Sequence, residues 1–411
     1  MKQSKLFYKT LKENPKDEEA KNARLLIRAG FVDKVMAGVY NYLPLGFRVL
    51  KKIENIIREE MNAIGGQEIL MPVLHPAENW KKTGRWKSFE QLFKLKGAGN
   101  KDLALGPTHE EIVTPLAQKV VFSYKDLPIA VYQIQTKFRN EPRSKSGLLR
   151  AREFIMKDLY SFHASEENLE KYYTQVEKAY EKIWQRLGIG KITLKTYASG
   201  GDFSKYSHEY QTLCQTGEDE IYVCSKCKVA VNKELINEQS ECPECGNKKL
   251  EKQNAIEVGN IFKLKTKFSN AFNFKYVDKH GHEKPVVMGC YGIGPSRIMG
   301  TLAEIFNDDK GLVWPDNLAP FDIHLINLNK NTNKSEKLYE KLINQGLDVL
   351  YDDRLGVSAG EKLAEADLLG IPHRLVVSEK TGEKVEYKKR SEKEVKMLSE
   401  DEIIKMLRNK T

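Results

Sequence analysis

The feature that most constrains the fold is a pair of long β-prone runs, joined by a polar loop, between residues 129 and 162. Residues 129–139 are rich in β-branched and aromatic side chains, which favour strands. Residues 142–147 read Pro-Arg-Ser-Lys-Ser-Gly, a polar sequence typical of a loop. A second β-prone run follows and ends before the polar residues 165–167, and a helix rich in Glu, Lys and Tyr is predicted after it, at about 166–186. The pattern predicts a long antiparallel hairpin.

One face of the second predicted strand carries an unusual set of side chains. Side chains alternate between the two faces of a strand, so five residues would share this face: Arg150, Arg152, Phe154, Met156 and Asp158. Unpaired buried charge is costly, whereas guanidinium groups bind phosphates and a ring can stack on a base. The face therefore favours a nucleotide site. A salt-bridged surface strand is the alternative.

A second motif lies at residues 289–297, which read Gly-Cys-Tyr-Gly-Ile-Gly-Pro-Ser-Arg. The small residues allow a ligand to approach the backbone, and a proline favours the first turn of a helix. Arg297 would then lie at the start of that helix, beside the ligand. A tight strand–helix turn without a ligand is the alternative.

A third motif pairs a hydroxyl group with a carboxylate two positions later, in Thr108 and Glu110. Such a pair can hold an ammonium or imino group. The same residues could instead cap a helix and supply its acidic first turn.

Together these motifs resemble the class II aminoacyl-tRNA synthetases. The predicted helix 47–64, with residues 66–72 after it, resembles their motif 1, which builds the dimer interface. The hairpin resembles motif 2, and residues 292–297 resemble motif 3. Five segments are similar to the bacterial-type prolyl-tRNA synthetases: 37–46, 108–110, 152–158, 207–210 and 289–294. The resemblance implies an α+β fold in which helices flank the class II antiparallel sheet.

The resemblance also implies the reaction: ATP-dependent activation of L-proline to prolyl-adenylate, then transfer to the 3′ end of tRNA(Pro). Arg139 and Arg297 would be catalytic, because they would stabilise charge as the substrate carboxylate attacks phosphorus. The implied ATP-binding residues are Arg139, Glu141, Arg150, Phe154 and Arg297. The implied proline-binding residues are Thr108, Glu110, Arg139, His163, Glu209 and Cys290. Mg²⁺ would accompany ATP, near Glu209 or another carboxylate.

The pattern changes after residue 320 to strands alternating with helices, which predicts a small α/β domain with parallel strands. We therefore expect a catalytic domain at residues 1–316 and a second domain at 317–411. Residues 349–354 and 360–372 resemble the anticodon-binding domain of the prolyl, threonyl, histidyl and glycyl enzymes. The implied contacts to bases are Arg354, Glu361, Lys362 and Asp367, and those to phosphates are Lys388, Lys389 and Arg390.

Solvated surface charge is the alternative for these C-terminal residues. Residues 321–411 contain 17 basic and 17 acidic residues, so the net charge of +10 comes entirely from residues 1–320. Any nucleic-acid binding by this domain must depend on local contacts and not on net charge.

Four cysteines form two CxxC pairs, Cys224 with Cys227 and Cys242 with Cys245. This spacing predicts a structural zinc ribbon in a small insertion at residues 220–250. A metal-free ribbon with free thiols is the alternative.

Bacterial relatives commonly carry an editing domain between motifs 2 and 3, which hydrolyses alanyl-tRNA. The interval 219–257 is too short for it, so we expect no cis-editing.

Two other functions remain open from the sequence: a class II synthetase for another amino acid, such as threonine, and a synthetase-like regulator without catalysis. Threonyl enzymes hold an active-site zinc through cysteine and histidines, and the catalytic motifs contain no such set. Regulators usually lose the motif arginines, which are present here. The sequence has no secretory signal and no apolar run near the ~18 residues of a membrane span, so we expect a cytoplasmic protein. The resemblance to motif 1 implies a homodimer.

Overall fold

The computed structural model describes residues 1–144, 146–201 and 203–408. The chain forms two compact units. The larger unit contains residues 37–39 and 53–301, and the smaller unit contains residues 1–36, 40–52 and 302–411. The expected domain boundary at residue 316 stays a prediction. Among the described residues, no helix has both the length and the apolar composition to span a membrane.

The α-helices, in chain order, have the following bounds: α1 Lys21–Arg28, α2 Pro44–Ala63, α3 Ala77–Lys82, α4 Arg85–Ser88, α5 Glu110–Ala117, α6 Glu166–Arg186, α7 Lys267–Ala271, α8 Pro295–Ile305, α9 Asn333–Asn344, α10 Ala359–Leu369 and α11 Glu400–Arg408. The strands are β1 Val32–Met36, β2 Val39–Tyr42, β3 Gln67–Glu68, β4 Leu74–Pro76, β5 Phe93–Lys96, β6 Asp102–Leu105, β7 Ile129–Phe138, β8 Glu153–His163, β9 Thr193–Ser199, β10 Tyr206–Leu213, β11 Asp219–Cys224, β12 Ala230–Asn232, β13 Leu250–Lys265, β14 Lys275–Val277, β15 Glu283–Pro285, β16 Val287–Ile293, β17 Asn307–Asp308, β18 Gly311–Leu312, β19 Ile323–Asn327, β20 Val349–Asp352, β21 His373–Val377, β22 Val385–Lys389 and β23 Val395–Leu398.

The larger unit is built on one large sheet. In the described part of the chain its nine strands have the order β10-β9-β12-β11-β13-β16-β8-β7-β3. The central pairs β13–β16, β16–β8 and β8–β7 are antiparallel. The core between this sheet and the elements packed on it includes Val113, Tyr160, Phe162, Phe268 and Met288. The expected antiparallel sheet flanked by helices is confirmed.

The predicted hairpin is confirmed as β7 and β8, with a register that runs from Phe138 opposite Glu153 to Ile129 opposite Phe162. Lys145 of the predicted loop lies outside the described residues. The second strand begins only at Glu153, so the alternation does not extend back to the arginines before it. The prediction that Arg152 shares the face of Phe154 is therefore wrong: its Nε donates to the carbonyl oxygen of Glu141 at 2.9 Å.

Two predicted helices of this region are confirmed. Helix α6 begins after Ser165, whose side chain accepts a hydrogen bond from the backbone N–H of Asn168. Helix α2 ends before Gly65, whose φ of +79° suits a residue without a side chain. After this helix, Gln67–Glu68 pairs in parallel with β7.

The smaller unit contains a sheet with the order β20-β19-β21-β22-β23. Strand β19 pairs in parallel with both β20 and β21, which confirms the predicted α/β alternation. Strands β22 and β23 then add in antiparallel orientation. The N-terminal residues also belong to this unit: the backbone N–H of Tyr351 donates to the carbonyl oxygen of Met1 at 2.8 Å.

Candidate active site

A cavity of about 580 Å³ is lined by residues of β8, β13 and β16. All three predicted motifs contribute to its wall. The predicted site residues that line it are Thr108, Arg139, Glu141, Arg150, Phe154, Cys290 and Arg297. Residues that are up to 189 positions apart in the sequence thus converge on one space, which we call the cavity below.

Two guanidinium groups of the cavity have buried atoms without a protein partner. The Nε atoms of Arg139 and Arg297 are both buried and make no hydrogen bond to any described residue. Arg139 lies over the ring of Phe154, 5.2 Å from its centre, and burial lowers the pKa of Arg139. Arg297 approaches Glu257 at 3.4 Å. Buried cationic donors of this kind favour an anionic ligand.

Glu141 orients another arginine at the edge of the cavity. Its Oε2 accepts from Nε of Arg150 at 2.9 Å, and Nη2 of Arg150 lies at the same distance. The side chain of Arg150 is 50% exposed, whereas that of Glu141 is 11% exposed. Arg150 can therefore meet an incoming ligand while the carboxylate holds it in place.

The carboxylate of Glu110 lies just behind the cavity wall, at the start of α5. It is fully buried and accepts from Thr108 Oγ1 at 2.5 Å and from Cys290 Sγ at 3.2 Å. Burial and the nearby Glu110 raise the pKa of Cys290, so its thiol remains protonated and donates. Each oxygen of this carboxylate thus accepts from a neutral donor.

Besides Glu110, two predicted proline-binding residues do not line the cavity. His163 is buried; its Nε2 lies 2.8 Å from Ser161 Oγ, and burial lowers its pKa to about 4. Glu209 accepts from Gln211 at 2.8 Å and from Asn232 at 3.0 Å. Burial, with the neighbouring charge of Glu257, raises the pKa of Glu209 to about 8. The roles of both residues stay predictions.

Sequence reasoning missed several charged residues of the site. Asp219 and Glu257 line the cavity from β11 and β13. Asp158, which does line the cavity as expected, forms a buried ion pair with Lys137 at 2.8 Å. Lys137 also contacts His109 Nδ1 at 2.9 Å. No local pattern signals the acidic pair, because strand pairing between distant segments brings it to the cavity.

The four cysteines of the predicted ribbon come together. Their Sγ atoms all lie within 4.8 Å of one another, and three pairs are separated by 3.4 to 3.7 Å. Tetrahedral zinc with Zn–S bonds of about 2.3 Å places sulfurs about 3.8 Å apart. Each CxxC turn is followed by a residue with positive φ, Lys228 at 65° and Gly246 at 68°. The donor set and its dimensions fit a zinc ion.

In the smaller unit, two predicted anticodon residues line a second cavity of about 230 Å³. Arg354 and Lys362 face it, together with residues 327–330, which follow β19. Arg354 is paired with Asp352 at 2.8 Å and Glu365 at 2.7 Å. Lys362 is buried and donates to the carbonyl oxygen of Asn327 at 2.7 Å. Glu361 is exposed in the first turn of α10.

The other predicted anticodon residues lie elsewhere in that unit. Asp367 lies 3.5 Å from Arg374, and Lys389 lies 3.5 Å from Asp316. Arg390 is 8% exposed and contacts both carboxylate oxygens of Asp308, at 2.6 and 2.7 Å. Lys388 is half-buried on β22 and forms no ion pair with a described residue. The anticodon roles of these residues stay predictions.

Two family models match the chain. The "tRNA synthetase class II core domain (G, H, P, S and T)" matches residues 93–306, and the "Anticodon binding domain" matches residues 322–410. A proline–tRNA ligase of Sulfurihydrogenibium sp. is 36% identical, with 94% of this chain and 95% of the relative covered. The chain belongs to the prolyl-tRNA synthetase family. A second proline–tRNA ligase, from Thermosipho africanus, is 34% identical and covers 96% of this chain and 97% of its own length.

Solved prolyl-tRNA synthetases share the fold. The Giardia lamblia enzyme, determined in complex with prolyl-adenylate, aligns with a TM-score of 0.76 and 23% identity, over 92% of this chain and 74% of its own. The alignment with the Sulfurihydrogenibium relative extends over 541 positions, although this chain has 411 residues. That prolyl-tRNA synthetase therefore contains sequence that has no counterpart here.

Proposed function

We propose that this chain activates L-proline with ATP to form prolyl-adenylate and then transfers the prolyl group to the 3′ end of tRNA(Pro). The observation that carries the proposal is the convergence of the hairpin, residues 289–297 and Thr108 on one cavity, where Arg139 and Arg297 present buried donor atoms without partners among the described residues. Membership of the prolyl-tRNA synthetase family supports the choice of amino acid.

In the proposed reaction, the proline carboxylate attacks the α-phosphorus of ATP and pyrophosphate leaves. Arg139 stabilises the charge that develops between carboxylate and phosphate, and Arg297 and Arg150 bind the outer phosphates. Phe154 stacks on adenine, and Glu141 orients Arg150. The terminal hydroxyl of tRNA then attacks the adenylate carbonyl, so the chain itself supplies no covalent nucleophile.

The proline nitrogen, a cation, would lie against Thr108, with Glu110 behind it. Support comes from the short contact between these two side chains and from the Cys290 thiol on the other carboxylate oxygen. His163 and Glu209 are proposed to shape the pocket from behind its wall.

Mg²⁺ would be held by ATP phosphates together with one or two carboxylates, as is usual for this ion. The proposal is supported by the crowding of carboxylates near the arginines: Glu257 and Asp219 line the cavity, and the charge of Glu257 raises the pKa of Glu209. A cation would relieve this repulsion.

We also propose a structural zinc ion in the four-cysteine insertion. Four thiolate ligands leave no open position for catalysis, so the ion would stabilise the β11–β12 hairpin. We expect one zinc per chain by metal analysis, and less than a tenth of that in Cys227→Ser. The matched control is Cys214→Ser, because Cys214 lies outside the cluster. Full zinc in Cys227→Ser, or no zinc in the wild type, would contradict the proposal.

The C-terminal residues are proposed to bind the tRNA anticodon, through the cavity lined by Arg354 and Lys362 and through nearby basic residues.

Absence of cis-editing is supported by the relative's extra sequence and by the short interval between β11 and β13. A homodimer is supported by the apolar residues near motif 1, where Leu70 is 75% and Leu74 is 48% exposed. We propose a cytoplasmic location, where translation takes place.

Amino-acid-dependent exchange of pyrophosphate into ATP tests the function directly. Proline should support exchange, and threonine should not, because the described residues that line the cavity include no histidine that could hold a zinc ion for its hydroxyl. Exchange with threonine but not proline would replace this proposal with the threonyl alternative. The same preparation should leave alanyl-tRNA(Pro) intact; rapid deacylation would contradict the absence of editing.

A further inference from the structure

Three charged side chains of the larger unit are buried together behind the cavity wall. Arg85 is 2% exposed, and Glu110 and Glu111 are fully buried. Two carboxylates therefore share one guanidinium group. Burial of two carboxylates with one guanidinium group is costly unless a further cation balances the remaining negative charge.

Arg85 cannot easily leave this position. Its guanidinium lies between 4.7 and 5.5 Å from the centres of four aromatic rings, and such rings favour a cation at this distance. The rings belong to Trp80, Phe89, Phe203 and Phe268. The rings thus keep the positive charge in this region, where the two carboxylates compete for it.

The geometry divides the guanidinium unequally. Nη1 of Arg85 lies 3.0 and 3.1 Å from the two carboxylate oxygens of Glu111, but 3.5 Å from the nearer oxygen of Glu110. Thr83 Oγ1 also donates to Glu111, at 2.9 Å. Glu110 instead receives its short contacts from the neutral donors Thr108 and Cys290, which line the cavity.

We propose that Glu111 is a positioning residue that sets the affinity for the amino acid: by engaging Arg85, it leaves the negative charge of Glu110 available to the cationic nitrogen of proline. The inference rests on the proposed role of Glu110 in proline binding. If Glu111 were neutral, Arg85 would pair with Glu110 and weaken its attraction for the substrate.

The proposal makes proline binding sensitive to pH. Burial raises the pKa of Glu111 to about 7; Arg85 opposes the rise and Glu110 adds to it. These are the charged groups around Glu111, with Thr83 as neutral donor, and Lys137 is near enough to interact with Glu110. Above this pKa, Glu111 is ionised and holds Arg85. As the pH falls through about 7, Glu111 becomes neutral and Arg85 shifts toward Glu110.

The experiment measures KM for proline and for ATP by pyrophosphate exchange between pH 6 and 8. In the wild type, KM for proline should rise about tenfold from pH 8 to pH 6, because loss of one charge-assisted contact is of that order. Glu111→Gln should have the high value at both pH values, with KM for ATP changed less than about twofold. A pH-independent wild-type KM for proline would overturn the proposal without any variant.

Two further variants separate the possible causes. Asp278→Asn removes another nearly buried, ion-paired carboxylate, which does not line the cavity, and should leave both KM values unchanged. An equal rise in KM for proline in Asp278→Asn would overturn the proposal. Glu110→Gln should raise KM for proline at least as much as Glu111→Gln. No rise in Glu110→Gln would contradict the proposed proline site itself, whereas a rise there without one in Glu111→Gln would overturn only this inference.

Discussion

Two arginines of the larger unit and two of the smaller unit are used in opposite ways. In the larger unit, Arg139 and Arg297 each have a buried Nε without a hydrogen-bond partner among the described residues. In the smaller unit, Arg354 and Arg390 direct their guanidinium groups at protein carboxylates, at 2.6 to 2.9 Å. The first pair is available to a ligand, and the second is already used by the fold.

The difference lies in the carboxylates nearby and not in the arginines. Asp352 is fully buried beside Arg354, so the smaller unit needs that guanidinium to compensate it. Glu257, by contrast, approaches Arg297 only to 3.4 Å and leaves Arg139 without an ion pair in the described structure. Residue type alone therefore cannot separate a ligand-binding cation from a structural one.

The largest effect that this comparison predicts is on Arg139→Ala. Removing a preorganised cation that acts on the transition state should reduce proline-dependent pyrophosphate exchange by about 10³-fold. The thermal midpoint should change little, because the guanidinium lacks an ion-pair partner among the described residues. Arg186→Ala is the control: Arg186 pairs with Glu59 and Glu60, does not line the cavity, and should retain full exchange. Normal exchange in Arg139→Ala would contradict the catalytic role of Arg139, whereas no proline-dependent exchange in the wild type would favour the non-catalytic alternative.

Local patterns predicted much of the fold. Helix α6 was predicted from a run rich in Glu, Lys and Tyr at about 166–186, and the hairpin from its β-prone runs. Strands β22 and β23 were not predicted, because they have only five and four residues and become strands by pairing, β22 with β21 and β23 with β22. The place of the N-terminal residues in the smaller unit also depends on contacts far apart in the sequence.

The candidate site was predictable where a motif is local and not where it is assembled. Thr108, Arg139 and Phe154 lie in recognisable segments, and all line the cavity. Glu257 and Arg85 lie in no recognisable sequence motif, because their significance depends on the partners that folding brings to them. The expectation for Arg152 failed for a local reason, since the strand that would have aligned it begins one residue later.

An intermediate effect is predicted for Arg354→Ala. The change removes the closer cation of the fully buried Asp352 and a partner of Glu365, while Lys362 remains 3.5 Å from Asp352, so the smaller unit should lose about 2 kcal/mol of unfolding free energy. Urea unfolding followed in that unit would measure the loss. Unchanged stability with a raised KM for tRNA would mean that Arg354 serves recognition alone and would break the contrast between the two units.

The smallest effect is predicted for Lys388→Ala. Lys388 is a half-buried basic residue of β22 that forms no ion pair with a described residue. If Lys388 contacts a phosphate, its removal should raise KM for tRNA by a few-fold and reduce the slope of log KM against log salt by about one. Stability should change by less than about 0.5 kcal/mol, and proline-dependent exchange should not change.

Lys337→Ala, which removes an exposed lysine of α9, is the control and should leave KM for tRNA and its salt slope unaltered. Equal effects of the two variants would mean that tRNA senses only the overall charge of this unit; an effect of Lys388→Ala alone would identify an unengaged cation in the smaller unit, comparable to those of the cavity.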